Sequence, residues 1–441
     1  MSLEILFRVL TLSDFNTRVV VLGTSALGTA CGVIGSFMLL RKRSLMADSV
    51  SHATLPGICL AFVVMVKAGG NGKWLPGLLL GALLSGLLGM SLVLLLRHYT
   101  RIKEDAALGI VLSCFFGLGV ALLGMIQKMS QGSAAGLESF IYGKTASMLS
   151  SDAYLIGAFA LIALSVSAAL FKEFTLLCFD ADYASSQGFS ATLLDIILMT
   201  LVVLITVIGL QAVGLILVIA LLIIPAASAR FWTDSLRSMT LLAAGFGALG
   251  SALGATVSAL VPRMPAGAVI VVTYSVLFFL SLTLGTRNGL FIRNFKRLEL
   301  QRKIGRQNLL RALHETLEKT GRESVDFESL KSARSWSSSA LERLLRIALK
   351  HKLVDKTPDG YRLTHSGHEQ ALRLVRNHRL WELYLITHAD IAPSHVDRGA
   401  ERVEHVLSGE LIAELEELMA DKYPDSLCPQ CPHSVKNEGQ T

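Results

Sequence analysis

Across 441 residues the chain is 52% hydrophobic and only 17% charged, with a formal net charge of +7, far more apolar than packing in water requires. That excludes a wholly soluble protein, and six Cys, four of them inside apolar runs, exclude a secreted disulfide scaffold and suit a reducing cytoplasm. Charge is uneven as well: residues 1–286 hold 16 Lys/Arg and 12 Asp/Glu, and the remaining 155 hold 25 and 22, so the two parts are made for different media.

The opening MSLEILFRVLTLSDF lacks the basic start, apolar core and small-residue cleavage site of a signal peptide, so the first span is expected to act as its own insertion signal. Crossing about 30 Å of hydrocarbon takes about 20 helical residues. Apolar runs of that kind lie near 18–40, 52–67, 74–96, 107–127, 153–171, 239–261 and 267–286, and residues 192–229 form one run of roughly double length. The stretch GLQAVG, Gly209 to Gly214, divides the double run and predicts eight or nine crossings. With nine, the clusters Arg41, Lys42, Arg43 and Arg97, Arg101, Lys103, and the basic segment from Arg287 to Arg297, all fall on one side. Short cytoplasmic loops collect such residues, which puts the N-terminus outside and the tail in the cytoplasm. Lys67, Lys73, Lys128, Lys144 and Arg263 in the outer loops make the bias modest.

RKRSLMADSVSHATLPG sets Asp48 and His52 four residues apart at the start of the second span. Such residues share a helical face, so a carboxylate and an imidazole there suit a divalent cation, and ionisable groups at membrane depth usually line a pathway. The alternative on spacing alone is that Asp48 caps its helix and His52 sits at headgroup level.

ADSVSHATLPG together with GLQAVGLILVIALLIIPAASA resembles the two signature stretches of the permeases of manganese, zinc and iron ABC importers, over nearly all of residues 15–286. The resemblance implies that Asp48 and His52 lie on the translocation path. It also makes the polar middle of KEFTLLCFDADYASSQGFS, Asp180 to Gly188, look like the coupling helix by which such permeases dock in a groove of their ATPase. Asp180 or Asp182 would supply its cap. A phosphate-cradling loop needs G-x-x-x-x-G-K-[ST] after a strand. The nearest match, ESFIYGKT, has Glu138 where the first Gly belongs, so the nucleotide-binding subunit is expected to be another chain.

Beyond residue 300 the pattern is that of a soluble domain: helices near 305–319, 326–333 and 337–351, then LVDKTPDGYRLT, a strand pair around a Pro-Asp-Gly turn, a winged-helix signature. Residues 287–365 carry 18 Lys/Arg against 9 Asp/Glu, and 366–441 carry 7 against 13. Arg343, Arg346 and Lys350 on the third helix are available to DNA phosphates, although the Ser337, Ser338 and Ser339 ahead of them reach few base edges. Charge facing anionic lipid explains the basic half equally well. Further on, His378 and Glu382 are at i and i+4, and Glu401, Glu404 and His405 at i, i+3 and i+4. Each set shares one helical face, a nitrogen and oxygen set suited to Mn, Fe or Zn, or equally a surface face with salt bridges.

Residues 305–425 resemble the metal-dependent repressors of the diphtheria-toxin-repressor family. The resemblance implies that His378, Glu382, Glu401, Glu404 and His405 are metal ligands, and the carboxylate at Glu401 implies a manganese sensor. Asn308 and Arg311 stand where the manganese sensors carry acidic ligands, Asp397 replaces a His of the iron-type ancillary site, and an Arg repels a cation. The lone C-x-x-C of CPQCPH, Cys428 to His433, lacks the second half of a zinc site and reads as tail.

The sequence thus predicts an all-α polytopic membrane protein with eight or nine spans over 1–286 and a basic linker at 287–304. A winged-helix domain at 305–366, a helical metal-binding and dimerisation domain at 367–425 and a tail at 426–441 follow. The expected function is that of a permease subunit, without catalytic residues or organic cofactor, of an ATP-driven importer for a divalent transition metal. It would sit in the plasma (inner) membrane, pair with itself or a related permease, and work with a separate ATPase and an external metal-binding protein. The rival reading is a membrane-tethered, metal-responsive transcription regulator.

Overall fold

A computed structural model describes residues 13–70, 72, 74–128, 143, 145–261, 264–334 and 336–388. Among them, eight helices are long and apolar enough to cross a membrane. These are α1 (Phe15–Leu40), α2 (Met46–Lys67), α3 (Leu75–Tyr99), α4 (Glu104–Gln127), α5 (Ser150–Ala169), α8 (Ala191–Val213), α10 (Leu236–Leu260) and α11 (Ala266–Leu284), with two short helices, α6 (Phe171–Phe179) and α7 (Ala181–Ser186), between α5 and α8. A further apolar helix, α9 (Leu215–Arg230), has only 16 residues, about 24 Å at 1.5 Å per residue and so short of the hydrocarbon thickness. The double-length run therefore divides into α8 and α9, and the break is at Gly214, whose φ of +84° is open to glycine at no steric cost.

Two sets of contacts fix the ends of the bundle. At one, Asn16 Nδ2 donates to the Ala146 carbonyl (3.1 Å) and Gln211 Nε2 to Asp152 Oδ1 (3.2 Å). At the other, Arg41 meets Asp195 (3.3 Å) and the Leu177 carbonyl (2.9 Å). So the first basic cluster and the α6–α7 loop share an end, an arrangement that eight and nine crossings have in common. Between those ends α1 lies against α10, and α2 against α3 and α4. The α2–α3 approach is close because glycines face each other: a Cβ added at Gly57 would stand 2.1 Å from the Gly81 carbonyl oxygen. Small residues let helix backbones meet in lipid, where no hydrophobic force drives them together.

The second compact unit is Asn294–Thr441. Its first helix, α12 (Leu290–Thr320), is one continuous helix of 31 residues, so residues 290–304, expected as a linker, are helical. Then come α13 (Phe327–Ala333), α14 (Ser338–Lys350), the antiparallel pair β1 (Val354–Thr357) and β2 (Gly360–Leu363), and α15 (His365–His388). Asp326 caps α13 by accepting from Ser329 N and Oγ, and those hydrogen bonds hold its carboxyl below the usual carboxylate range. Leu309, Leu310, Leu313, Leu330, Leu341 and Leu345 close the core. Three helices are thus followed by an antiparallel hairpin and a further helix.

Candidate metal site, coupling loop and C-terminal domain

Asp48 lies in the first turn of α2, but the N-cap position belongs to Leu45 and carries no side-chain cap. Its carboxylate faces His52 one turn on, with Oδ1 3.4 Å from Nε2, and the two side chains are 36% and 18% exposed. The His52 ring packs edge-on against Phe116 with centroids 4.7 Å apart. Its Nδ1 is buried, and no protein atom among the described residues hydrogen-bonds to it. A buried imidazole nitrogen without a partner is unusual; it is Nε2, the nitrogen facing the carboxylate, that could meet an ion shared with Asp48. Ser49 Oγ donates to the Leu108 carbonyl (3.3 Å), and Ser85 Oγ to that of Ala53 (2.6 Å), beside His52. The pair therefore sits on a helix fastened to both neighbours.

One carboxylate and one imidazole are fewer ligands than a transition metal takes. Among the described residues no group of three or more His, Cys, Asp or Glu could hold an ion. A site built on this pair needs donors from a second chain or from water.

The loop singled out as a coupling element is α6 followed by α7. Asp180, not Asp182, is the cap: its Oδ1 accepts from Asp182 N (3.1 Å) and Tyr183 N (2.9 Å). Gly188, at φ +87°, ends the turn. Tyr183 and Phe179 are exposed, at 51% and 67%. Sequence reasoning missed what stands behind this loop. Arg43, only 3% exposed, pairs with Asp195 of α8 (2.5 Å) and with Glu104 of α4 (2.6 Å). Both arginines had read as orienting charge, and nothing local in the sequence marks Asp195 as their partner.

In the C-terminal unit, Arg343, Arg346 and Lys350 of α14 line one groove of about 1040 Å³ with Arg302, Lys303 and Arg306 of α12. Arg302 and Lys303 went unnoticed because they read as linker, and Arg306 because it lay at the start of the domain's first helix rather than on the third. His378 of α15 is 3% exposed, and its Nδ1 lies 2.9 Å from an Arg311 guanidinium nitrogen. Arginine can only donate, so Nδ1 accepts. Arg311 is itself 5% exposed and paired with Glu315 at 2.6 Å. A metal at that nitrogen would meet a fixed positive charge, so His378 does not fit a metal through Nδ1. One turn before Arg311, Asn308 Oδ1 is buried without a hydrogen-bond partner among the described residues. The side chain of Glu382, and all of Glu401, Glu404, His405, Asp397, Cys428, Cys431 and His433, lie outside the described residues.

The model of the ABC 3 transport family matches residues 14–285. That of the iron dependent repressor, metal binding and dimerisation domain matches 364–434. The manganese transport system membrane protein MntC of Bacillus subtilis is 37% identical over 390 residues, 88% of each chain, a likeness that runs well past the membrane helices. The zinc transport system membrane protein TroC of Treponema pallidum is 44% identical over 65% of this chain and 94% of its own. Among solved structures, PsaBC from Streptococcus pneumoniae, in complex with Fab, superposes with a TM-score of 0.56 at 29% identity, covering 65% of this chain and 98% of that one.

Proposed function

The chain belongs to the ABC 3 transport family, and on that premise we propose that it is the permease subunit of an ATP-driven importer whose cargo, a divalent transition metal, touches Asp48 and His52. The observation that carries this reading is the pair itself, a partly exposed carboxylate facing an imidazole Nε2 across one helical turn, on a helix fastened to both neighbours within the membrane part. Two copies about a two-fold axis would bring two carboxylates and two imidazoles together, enough for a four-coordinate ion. The names of the relatives support manganese first and zinc second. The exposed, capped α7 loop serves a separate ATPase, an external protein delivers the metal, and the tail lies in the cytoplasm of a plasma (inner) membrane protein. Reconstituted with its ATPase in vesicles, the permease should accumulate radioactive manganese only when ATP is present, and alone it should hydrolyse none. Equal accumulation without ATP would count against an ATP-driven importer.

The basic groove is the one observation favouring the second reading, a tethered transcription regulator, because six cations on one face would take DNA phosphates. The metal pair and the coupling loop favour the importer, since an anchor needs neither.

In the C-terminal domain Glu382, Glu401, Glu404 and His405, with His378 through its Nε2, would hold a divalent ion, manganese first; Arg311 takes up the Nδ1 of His378. The family match over 364–434 supports this. Glu404→Ala with His405→Ala in the full chain should lower calorimetric stoichiometry by one manganese per chain, since ligands on adjacent turns are lost together. It should also leave uptake active when internal metal is high. Unchanged stoichiometry would remove the ion from these residues.

A further inference from the structure

The α1–α2 turn places Arg41 and Arg43 on either side of Lys42, whose φ of +59° aims both arginines at the neighbouring helices. Arg43 joins Asp195 of α8 and Glu104 at the start of α4, while Arg41 reaches Asp195 and the Leu177 carbonyl of α6. Cys178, the next residue of α6, lies with Sγ 3.7 Å from the Phe37 carbonyl of α1. The short helix α7 is therefore bounded on both sides by this network, by Leu177 before it and by Asp195 after it. Arg43 stands five residues ahead of Asp48 in the turn that begins α2.

Burial makes the network stiff. Arg43 and Asp195 are 3% and 8% exposed, and charged hydrogen bonds out of water are short and strong. Next to it the packing is loose: a cavity of about 430 Å³ lined by Arg41, Arg97, His98, Ala181 and Ala191 separates the start of α7 from α3. A push on α7 thus meets open space on the α3 side and a fixed ionic link on the α2 side.

We infer that Arg43 and Asp195 are positioning residues that carry the displacement of the α6–α7 loop to the start of α2, and so to Asp48 and His52. This rests on the importer reading: the loop receives the ATPase's stroke and the pair holds the metal. It goes beyond that reading by naming the connection between them.

The test is made on the permease–ATPase complex in vesicles, reading manganese moved per ATP hydrolysed. Asp195→Asn would leave Arg43 buried beside a neutral partner and is prone to misfold. The paired variant Arg43→Met with Asp195→Val avoids this, because the summed volume is nearly kept, Arg41 retains the Leu177 carbonyl and Glu104 retains Arg97 (3.4 Å). The variant should copurify with its ATPase and hydrolyse ATP within twofold of the unmodified complex, yet move less than a tenth of the manganese per ATP. Asp195→Glu, which keeps the charge, should recover more than a third of the normal ratio. An unchanged ratio in the paired variant overturns the inference, and so does loss of ATPase binding, which would make the pair part of the docking surface. Failure of the unmodified complex to move metal sinks the importer reading instead.

Discussion

Uptake of manganese should fall at least a hundredfold in Asp48→Asn, and again in His52→Ala, while both proteins should still insert and copurify with the proposed ATPase. Asn keeps the size of Asp48 and removes only its charge, so the variant separates metal contact from packing. Asp48 is a third exposed and makes no cap at Leu45, which leaves little folding energy to lose. His52→Ala removes the ring that rests on Phe116, but that ring buries an unsatisfied nitrogen, a state that costs stability. Its removal therefore leaves the helix intact. A hundredfold drop corresponds to about 2.7 kcal/mol, in the range expected when one charged ligand of a desolvated cation is lost. If the pair sits on a two-fold axis, each substitution removes two ligands at once, and the double variant adds little to either single one. Uptake at the normal rate in both singles would assign the pair to helix packing alone.

Deleting Asp180 to Gly188 should abolish copurification of the proposed ATPase, with the helices still inserted. The nine residues contain the whole of α7 with its cap and its glycine stop, and Tyr183, exposed at 51%, leaves with them. A partner seated on a helix this short recognises it only if it is already formed, and α7 owes its first turn to one side chain. Asp180→Ala, which removes both hydrogen bonds to that turn, costs about 1 kcal/mol and should weaken association by about fivefold. Pull-down with purified ATPase reads both variants. Full recovery of the complex by the deleted form would move the docking surface elsewhere.

The segments that cross the membrane were legible in the sequence because lipid imposes a length and an apolar composition that no other environment demands. The bend within 192–229 was legible too, since Gly214 can take a positive φ at no cost. The Asp48–His52 pair could be found for a similarly local reason: four residues are one helical turn, and both partners lie on it. Sequence also supplied two candidates for the α7 cap, and only the fold chose Asp180. Local rules were silent where partners are far apart in the chain. Arg43 and Asp195 are separated by 152 positions, and a basic loop reads as orientation whether or not its arginines are buried. The linker at 290–304 became helix because α12 propagates without a break into the core of the second unit, an outcome that polar composition does not forecast. Arg311 had been marked as a charge out of place, and tertiary packing decided its role by setting it against His378. Periodicity and composition act through neighbours within a turn, whereas ion pairs between helices depend on which faces the bundle brings together.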